Sequence, residues 1–341
     1  MMNKSDRAKL AKTTINNFIP HLLKSNARAR AGVERSELIH FSPAGVKNRS
    51  SPSPRGSAEV ERGPSESRPQ GSQDENKQTS DPLSKLSEAQ CSPAQKSSKR
   101  RKVETPCLID PTISILDPLF AVPDVTPPRI RIIKSDTFDA AKATISTHPK
   151  SSVAVLNMAS ALQPGGGVLR GALAQEEALC TRSTLYPSLN TEFYRMPLLS
   201  AIYTPDVLVF RGSDLVDLPQ SEWFYTAVIS CAALRQPEVE KGENGKMVYS
   251  EEKDREVMIE KIRLIFQITK EKGITHLILG ALGCGAYRNP PEEVATLFRK
   301  VMLGGRRKEG ITGIEEITFA IFDEGENLRS FKKVFGDVMV D

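Results

Sequence analysis

The chain has 341 residues, of which 39% are hydrophobic, and its 47 basic and 42 acidic side chains leave a net charge of only +5. No apolar run approaches the roughly 20 residues of a membrane helix, and the first residues lack the apolar region of a secretory signal, so we expect a soluble, intracellular protein. The four histidines are dispersed and the five cysteines show no C-x-x-C spacing, which argues against a metal site and against a disulfide framework.

The first part of the chain divides into a helical segment and a tract that has almost nothing to bury. Apolar residues recur at helical spacing over residues 5–40, although Pro20 is expected to kink or divide the helix. Residues 42–112 are rich in Pro, Ser, Gly and charge, and this composition predicts a disordered insertion. We therefore expect residues 1–41 to form an accessory helix that docks on a folded domain at 113–341.

A compact basic cluster, KSSKRRK at residues 96–102, lies inside the insertion. Such a cluster is either a solvated patch or a nuclear import signal, because an import receptor needs an accessible, extended peptide. Short basic patches also arise by chance. On this basis we expect a nuclear or nucleocytoplasmic protein.

From residue 113 onward, apolar strands alternate with amphipathic helices. The predicted strands are 129–134, 152–158, 207–212, 223–232, the start of 275–287, and 316–323. The predicted helices are 136–146 with an Asp N-cap, 251–273 with a terminal glycine, 290–303 with prolines at its start, and a closing helix from residue 327. This alternation predicts an α/β fold with three layers, α/β/α, around a mixed, largely parallel central sheet.

Two glycine-rich turns each follow a buried strand, which is where ligands bind in open α/β sheets. The first is 165–167, after strand 152–158, and the second is 283–285, after the strand that begins at 275. Backbone without side chains approaches a ligand closely and turns its N–H groups toward an anion, so the two turns suit a diphosphate. A single glycine run is more often a flexible turn, and only the matching positions favour a site. Neither a P-loop nor a Rossmann fingerprint is present.

Glu176 and Glu177 open a predicted helix after a spacer of seven residues. Carboxylates at a helix N-terminus stabilise the helix by a few tenths to about 1 kcal/mol, and this alone is a sufficient reason for their presence. The alternative is catalytic, because glycosidic cleavage needs a carboxylic acid that protonates the leaving oxygen and then activates water. A neighbouring carboxylate raises the pKa of such an acid and keeps it protonated near neutral pH. Since adjacent helical residues point in different directions, we expect one to face the scissile bond and the other a sugar hydroxyl.

Three glycines, seven residues and Gln-Glu-Glu follow one another in VLNMASALQPGGGVLRGALAQEEALCTRSTLYPSL. This signature resembles poly(ADP-ribose) glycohydrolases of the compact bacterial type, which also occurs in filamentous fungi. The resemblance covers residues 113–341 and the N-terminal helix, but not the insertion. It implies a macrodomain that hydrolyses ribose–ribose O-glycosidic bonds from chain ends and releases ADP-ribose. It also implies reversal of ADP-ribosylation, as in the DNA damage response, without a cofactor or a metal.

The resemblance assigns roles to residues of the signature. It implies that Glu177 is the acid and base that protonates the 2′-oxygen of the leaving unit, and that Glu176 binds ribose hydroxyls and orients the substrate. Gln175 begins the catalytic loop, and Asn157 is similar to the asparagine that holds the distal ribose. The first diphosphate loop corresponds to Gly165, Gly166 and Gly167.

The second glycine turn and three further residues complete the implied binding site. The second diphosphate loop corresponds to Gly283, Cys284, Gly285 and Ala286. Tyr287 stands where bacterial-type enzymes have an aromatic residue, commonly Phe, that packs on the ribose, so the ring is kept and a hydroxyl is added. Asp136 matches the aspartate that many macrodomains direct at adenine. Phe322 is placed to stack on that ring, although a phenylalanine at a strand end is more often part of the core.

Two other functions are compatible with the same fold. Many macrodomains bind ADP-ribose without hydrolysing it, but a reader of this kind has no evident need for the second glutamate. An enzyme that removes single ADP-ribose units from proteins or nucleic acid shares the fold and the diphosphate loops, and the sequence leaves it open. As partners we expect poly(ADP-ribose), ADP-ribose and poly-ADP-ribosylated proteins. We expect the protein to be a monomer that contacts neither a membrane nor a specific nucleic-acid sequence.

Overall fold

The computed structural model describes residues 2–42, 127–243, 245–304 and 310–340. Apart from its first residue, the insertion predicted to be disordered lies outside these ranges, together with its basic cluster at 96–102. No helix within the four ranges combines the length and the apolar character that crossing a membrane requires.

The described residues form nine strands and nine α-helices. The strands are β1 Glu37–His40, β2 Arg129–Ile133, β3 Val153–Met158, β4 Ser200–Val209, β5 Phe224–Cys231, β6 Val239–Lys241, β7 Met247–Tyr249, β8 His276–Leu279 and β9 Glu316–Ala320. The helices are α1 Lys4–Thr13, α2 Ile19–Ser25, α3 Ala27–Glu34, α4 Thr137–Thr147, α5 Gln175–Arg182, α6 Leu185–Ser188, α7 Glu252–Glu271, α8 Pro291–Leu303 and α9 Glu326–Phe335. Every strand and helix predicted after residue 113 is therefore confirmed in type.

Seven of these strands form one sheet, in the order β1-β4-β5-β3-β8-β9-β2. The five strands from β5 to β2 run parallel, whereas β4 pairs antiparallel with β5 and β1 pairs antiparallel with β4. The sheet is thus mixed and largely parallel, as predicted. Because parallel strands end at one edge, the loops after β2, β3, β8 and β9 are brought together there.

Helices cover both faces of the sheet because its central strands are apolar on both sides. In β3, Ala154 and Leu156 belong to one apolar cluster, and Val153 and Val155 belong to the other, as the two-residue period of a strand requires. Helices α7, α8 and α9 complete the first cluster, and α4, α5 and the N-terminal helices complete the second. The layers are α/β/α, which is the predicted architecture.

The N-terminal segment is divided rather than one continuous helix. Residues 4–25 are helical throughout, with a π-helical turn at Thr14–Phe18 just before Pro20, and the extended backbone of Asn26 then separates α2 from α3. The prediction of helix up to residue 40 is wrong at its end, because Glu37–His40 forms β1 and pairs with residues 200–203 of β4. That pairing joins distant parts of the chain, so the local pattern does not reveal it.

The N-terminal segment contacts the rest of the molecule through polar side chains as well as through its apolar face. The buried Arg211 donates to Thr14 Oγ1 at 2.8 Å and to the Thr181 carbonyl at 2.7 Å. Arg7 Nε donates to the Gly171 carbonyl at 3.0 Å. The segment therefore lies against α5 and also against the loop that precedes it.

Two features of the strands lie outside the predictions. β4 begins at Ser200, well before residue 207, and it contains a bulge between Thr204 and Val207 where the chain passes through Pro205. The hairpin of β6 and β7 is short and mostly exposed, so its sequence lacks the alternation of a half-buried strand.

Candidate active site

The predicted ligand-binding residues meet where the parallel strands end. Asn157 is the next-to-last residue of β3, and Gly283 lies in the loop after β8. Asp136 follows β2 and Phe322 follows β9. The loop after β3 carries the glycines 165–167 and leads into α5, which begins with Gln-Glu-Glu. The first glycine turn and the acidic pair therefore share this edge of the sheet with the second glycine turn.

The side chain of Gln175 joins the start of α5 to β3. Its Nε2 donates to the Leu156 carbonyl at 2.7 Å and to Thr137 Oγ1 at 3.1 Å, and its Oε1 accepts from Met158 N at 2.7 Å. The oxygen and the nitrogen of the amide are thus both bound by protein atoms, and two of these atoms belong to Leu156 and Met158, the neighbours of Asn157 in the chain. Gln175 fixes the position of α5 relative to β3, and direct contact with a substrate stays a prediction.

Glu177 accepts two backbone hydrogen bonds. Its Oε1 accepts from Gly167 N at 2.8 Å and its Oε2 accepts from Ala174 N at 3.1 Å. The second bond is the helix-capping contact of a glutamate at the third helical position, so the acidic pair has a structural role as well. Only 9% of Glu177 is exposed. Its carboxylate is therefore held by the helix and by the glycine turn together.

Glu176 is buried more deeply and has a raised pKa. Its Oε2 accepts from Ser160 N at 2.8 Å, and its Oε1 lies 3.5 Å from Asn157 Nδ2. Burial is the main reason that the pKa of Glu176 rises from 4.5 to about 8; the charge of Glu177 adds to the rise, and the hydrogen bonds oppose it. The effect of a neighbouring carboxylate, which the sequence predicts for the catalytic acid, is here a contribution to the pKa of Glu176, the residue predicted to orient the substrate, and loss of contact with water contributes more. At neutral pH Glu176 is mostly protonated.

The glycine turn lies directly against both carboxyl groups. Gly165 and Gly166 have φ values of +62° and +55°, which favour glycine. A Cβ on Gly166 would lie 2.8 Å from Glu177 Oε1 and 2.9 Å from Glu176 Oε2. Any other residue at this position is therefore strained by the backbone φ and would displace the carboxyl groups of the acidic pair. That the turn also holds a diphosphate stays a prediction.

The second glycine turn is anchored by Asn289, which is buried. Asn289 Nδ2 donates to the Leu234 and Gly283 carbonyls at 2.7 and 3.1 Å, and its Oδ1 accepts from Tyr249 Oη at 2.8 Å. Gly285, at the tip of the turn, is exposed. The sequence predictions did not include Asn289, although an asparagine between a glycine turn and two prolines is a signal of such an anchor.

The remaining residues of this turn divide between the core and the surface. Cys284 packs against the first apolar cluster, and burial raises the pKa of its thiol. Tyr287 is half-buried against the same cluster, whereas Ala286 is exposed. Because the Cys284 side chain belongs to the packing, its backbone is the part of this residue that is suited to a diphosphate.

Asp136 has two structural partners. Its Oδ1 accepts from Phe138 N at 2.8 Å and from Asp139 N at 3.2 Å, which confirms the predicted N-cap of α4. The same oxygen lies 2.8 Å from Nη1 of Arg182, whose side chain is almost fully buried. Asp136 thus compensates a buried charge. A contact with adenine stays a prediction.

Phe322 lies in solvent rather than in the core. It follows β9 and 74% of it is exposed. Its neighbour Ile321 accepts a backbone hydrogen bond from Ser135 at 3.3 Å, so the loops after β9 and β2 are adjacent. An exposed aromatic ring in this position is suited to stacking on a planar ligand, and that role stays a prediction.

Asn157 is fully buried, and its amide is only partly satisfied. Its Nδ2 donates to Ser230 Oγ at 3.0 Å, while its Oδ1 has no hydrogen-bond partner among the described residues. Leaving a buried acceptor unsatisfied costs about 1–3 kcal/mol, so this atom is available to a further donor; that a ligand supplies this donor stays a prediction. The sequence predictions did not include Ser230 or Ser160, and no local pattern distinguishes them.

A family model described as the catalytic domain of microbial-type poly(ADP-ribose) glycohydrolase matches residues 85–212. This range includes Asn157, the first glycine turn and the Gln-Glu-Glu of α5. No curated protein matches the chain.

Solved structures of bacterial poly(ADP-ribose) glycohydrolases are similar to the chain. The protein from Thermomonospora curvata is 30% identical, and the match covers 62% of this chain and 77% of that one with a TM-score of 0.52. The same protein bound to the inhibitor ADP-HPD is 30% identical, with 60% and 78% covered and a TM-score of 0.51. The protein from Deinococcus radiodurans in complex with ADP-ribose is 28% identical, with 64% and 87% covered and a TM-score of 0.53.

Proposed function

The chain belongs to the family of microbial-type poly(ADP-ribose) glycohydrolases, and we propose that it hydrolyses the ribose–ribose O-glycosidic bonds of poly(ADP-ribose) and releases ADP-ribose. The observation that carries the proposal is the pair of buried carboxyl groups, Glu176 and Glu177, held against a glycine turn where the parallel strands end. Relatives that bind ADP-ribose or ADP-HPD support this ligand class. A protein that only bound ADP-ribose would have a binding role for Glu176 but no evident need for an acid at Glu177.

Glu177 is the acid and base in this proposal. Its carboxyl donates a proton to the 2′-oxygen of the leaving ADP-ribose unit while the bond between that oxygen and the anomeric carbon breaks. The substrate's own diphosphate stabilises the positive charge that develops at the anomeric carbon. The Glu177 carboxylate then takes a proton from a water molecule whose oxygen bonds to that carbon, which restores the acid. The two backbone N–H groups that bind Glu177 fix its carboxyl at one position during both steps.

Glu176 positions the substrate. Because its pKa is about 8, the carboxyl is mostly protonated at neutral pH, so it both donates to and accepts from ribose hydroxyls. Its protonation also lowers the repulsion between the two carboxyl groups of the pair. Asn157, whose Nδ2 lies 3.5 Å from Glu176 Oε1, adds an acceptor, Oδ1, that has no partner among the described residues.

Two finer proposals rest on the resemblance and on the sequence. Cleavage from chain ends follows the compact bacterial type, and it predicts that the early products are free ADP-ribose without oligomers. Nuclear import through residues 96–102, and with it a role in DNA damage, is tested by locating a fluorescent fusion with and without the basic residues of that cluster.

The test of the proposed function is release of ADP-ribose from poly(ADP-ribose) by the wild type and by Glu177→Ala. Loss of the acid is expected to lower kcat by about 10²–10⁴-fold, while calorimetry shows that ADP-ribose still binds. Glu256→Ala, which removes an exposed glutamate of α7, is the matched control and is expected to behave as the wild type. Binding without turnover in the wild type would contradict the proposal and leave a reader. Release of ADP-ribose from a mono-ADP-ribosylated protein but not from the polymer would identify the protein as a hydrolase of single ADP-ribose units.

A further inference from the structure

Tyr194 is a half-buried tyrosine that is close enough to Glu176 to be affected by its charge, and the proposed chemistry does not yet use it. It follows a short 3₁₀ turn at Thr191–Phe193 and packs against the second apolar cluster. Two residues further on, Met196 N donates to the Ala161 carbonyl at 3.0 Å. Ala161 directly follows Ser160, whose N–H binds Glu176. The segment that carries Tyr194 is therefore attached to the loop that holds Glu176.

The hydroxyl of Tyr194 is buried and has no hydrogen-bond partner within the part of the chain that the structure describes. The same fold satisfies other tyrosine hydroxyls: Tyr225 Oη donates to Asn26 Oδ1 at 2.9 Å and Tyr249 Oη donates to Asn289 Oδ1 at 2.8 Å. A buried hydroxyl without a partner is unfavourable, and phenylalanine would avoid that cost at equal size. Packing of the fold therefore does not explain why this position has a tyrosine rather than a phenylalanine.

The surroundings of this hydroxyl indicate what it binds. Burial, followed by the charge of Glu176, raises the pKa of Tyr194, so the phenol keeps its proton and is a hydrogen-bond donor. The side chain of Asn157, whose Nδ2 lies 3.5 Å from Glu176 Oε1, adds an acceptor, Oδ1, without a partner among the described residues. A donor and an acceptor near one carboxyl group match the hydroxyls of a ribose, each of which both accepts and donates.

We propose that Tyr194 is a further substrate-binding residue, whose hydroxyl donates a hydrogen bond to a ribose hydroxyl of the ADP-ribose unit held at Glu176 and Asn157. This inference rests on the proposed function for the identity of the ligand. It adds a contact from a segment that follows α6, outside the glycine turns and the Gln-Glu-Glu.

The test is Tyr194→Phe, which removes only the hydroxyl. Because that hydroxyl has no partner among the described residues, the melting temperature of the free variant is expected to equal or exceed that of the wild type. Its affinity for ADP-ribose, measured by calorimetry, is expected to fall about tenfold, the effect of one lost hydrogen bond in a dry site. The KM for poly(ADP-ribose) is expected to rise by a similar factor.

Tyr225→Phe is the matched control, because it removes a hydroxyl that does have a protein partner. The control is expected to melt at a lower temperature and to bind ADP-ribose as the wild type does, which is the opposite pattern. If Tyr194→Phe binds ADP-ribose with unchanged affinity, or melts well below the wild type, the inference is overturned and the hydroxyl belongs to the packing. If the wild type binds ADP-ribose but releases none from the polymer, the proposed function fails, and the calorimetric comparison still decides the role of Tyr194.

Discussion

Gly166 is the residue at which the glycine turn and the acidic pair depend on each other most directly. A Cβ there would lie within 3 Å of one carboxyl oxygen of Glu176 and one of Glu177. Gly166→Ala is therefore expected to displace both carboxyl groups by some tenths of an ångström or more and to lower kcat by up to about 10²-fold. The measurement is ADP-ribose release at saturating polymer, together with the melting temperature.

The control for this prediction is Gly273→Ala. Gly273 also has a left-handed φ, +63°, but a Cβ there would meet no atom within 4 Å. Both variants share the backbone strain of about 1 kcal/mol or more, and only Gly166→Ala adds the contact with the carboxyl groups. The control is expected to lose stability and keep its activity. Equal activity in the two variants would show that the acidic pair tolerates the contact.

Glu176 makes the stability of the protein depend on pH. The folded protein keeps the Glu176 proton up to about pH 8, whereas the unfolded chain releases it near 4.5. Between these values the folded state binds more protons, so the free energy of unfolding is highest on the acid side and falls as pH rises toward 8. The glutamine of Glu176→Gln cannot ionise, so the free energy of unfolding of this variant is expected not to fall with pH in this way. In the wild type the fall amounts to a few kcal/mol at most.

Urea unfolding at about pH 5 and about pH 8 checks this prediction. The comparison is made within each protein, because the difference between the two pH values removes any fixed cost of the substitution. Glu256→Gln, at an exposed position of α7, is expected to keep the wild-type difference. If the free energy of unfolding of Glu176→Gln differed between the two pH values as much as that of the wild type, another group would be the cause of the pH dependence.

Among the elements, β3 and α5 carry Asn157 and the acidic pair, and the side-chain amide of Gln175 connects the two elements. Gln175→Glu keeps the size of the side chain but removes the donor that binds the Leu156 carbonyl and Thr137 Oγ1. A carboxylate facing a buried carbonyl is expected to destabilise the protein by about 1–3 kcal/mol and to lower kcat, since the glutamates move with α5. Thermal unfolding and ADP-ribose release are the measurements.

Gln220→Glu, at an exposed position, is the control for the added charge. It is expected to leave both stability and kcat unchanged. A loss of kcat in Gln175→Glu at unchanged stability would contradict the positioning role and favour direct contact of Gln175 with the substrate.

At this scale the sequence predicts most elements, because the signals are local. The two-residue apolar period marks β3, Asp136 caps α4, and the prolines before α8 mark its start. The same reasoning is wrong for Glu37–His40, whose strand exists only because β4 provides a partner. It also does not reveal that Gln175 binds the backbone of β3.

Over the whole molecule, the N-terminal segment is part of the folded unit. Ala11, Ile15, Ile19 and Leu22 are buried in the second apolar cluster, and β1 covers the edge of β4. Ile19→Asp is therefore expected to destabilise the protein by about 3–5 kcal/mol, because it buries an unpaired charge. Asn17→Asp places the same charge two residues away at an exposed position and is expected to be neutral. Equal melting temperatures for the two variants would show that the segment does not dock.

The sequence alone specifies the alternation of strands and helices, the two glycine turns and the Gln-Glu-Glu of α5, because each of these depends on neighbours along the chain. Other properties depend on residues that are distant in sequence and on the exclusion of water. These are the closeness of Gly166 to both carboxyl groups, the raised pKa of Glu176, and the hydroxyl of Tyr194, which has no partner in the described part of the chain. No local pattern contains them, because burial and non-local contact arise only when the sheet and its covering helices come together.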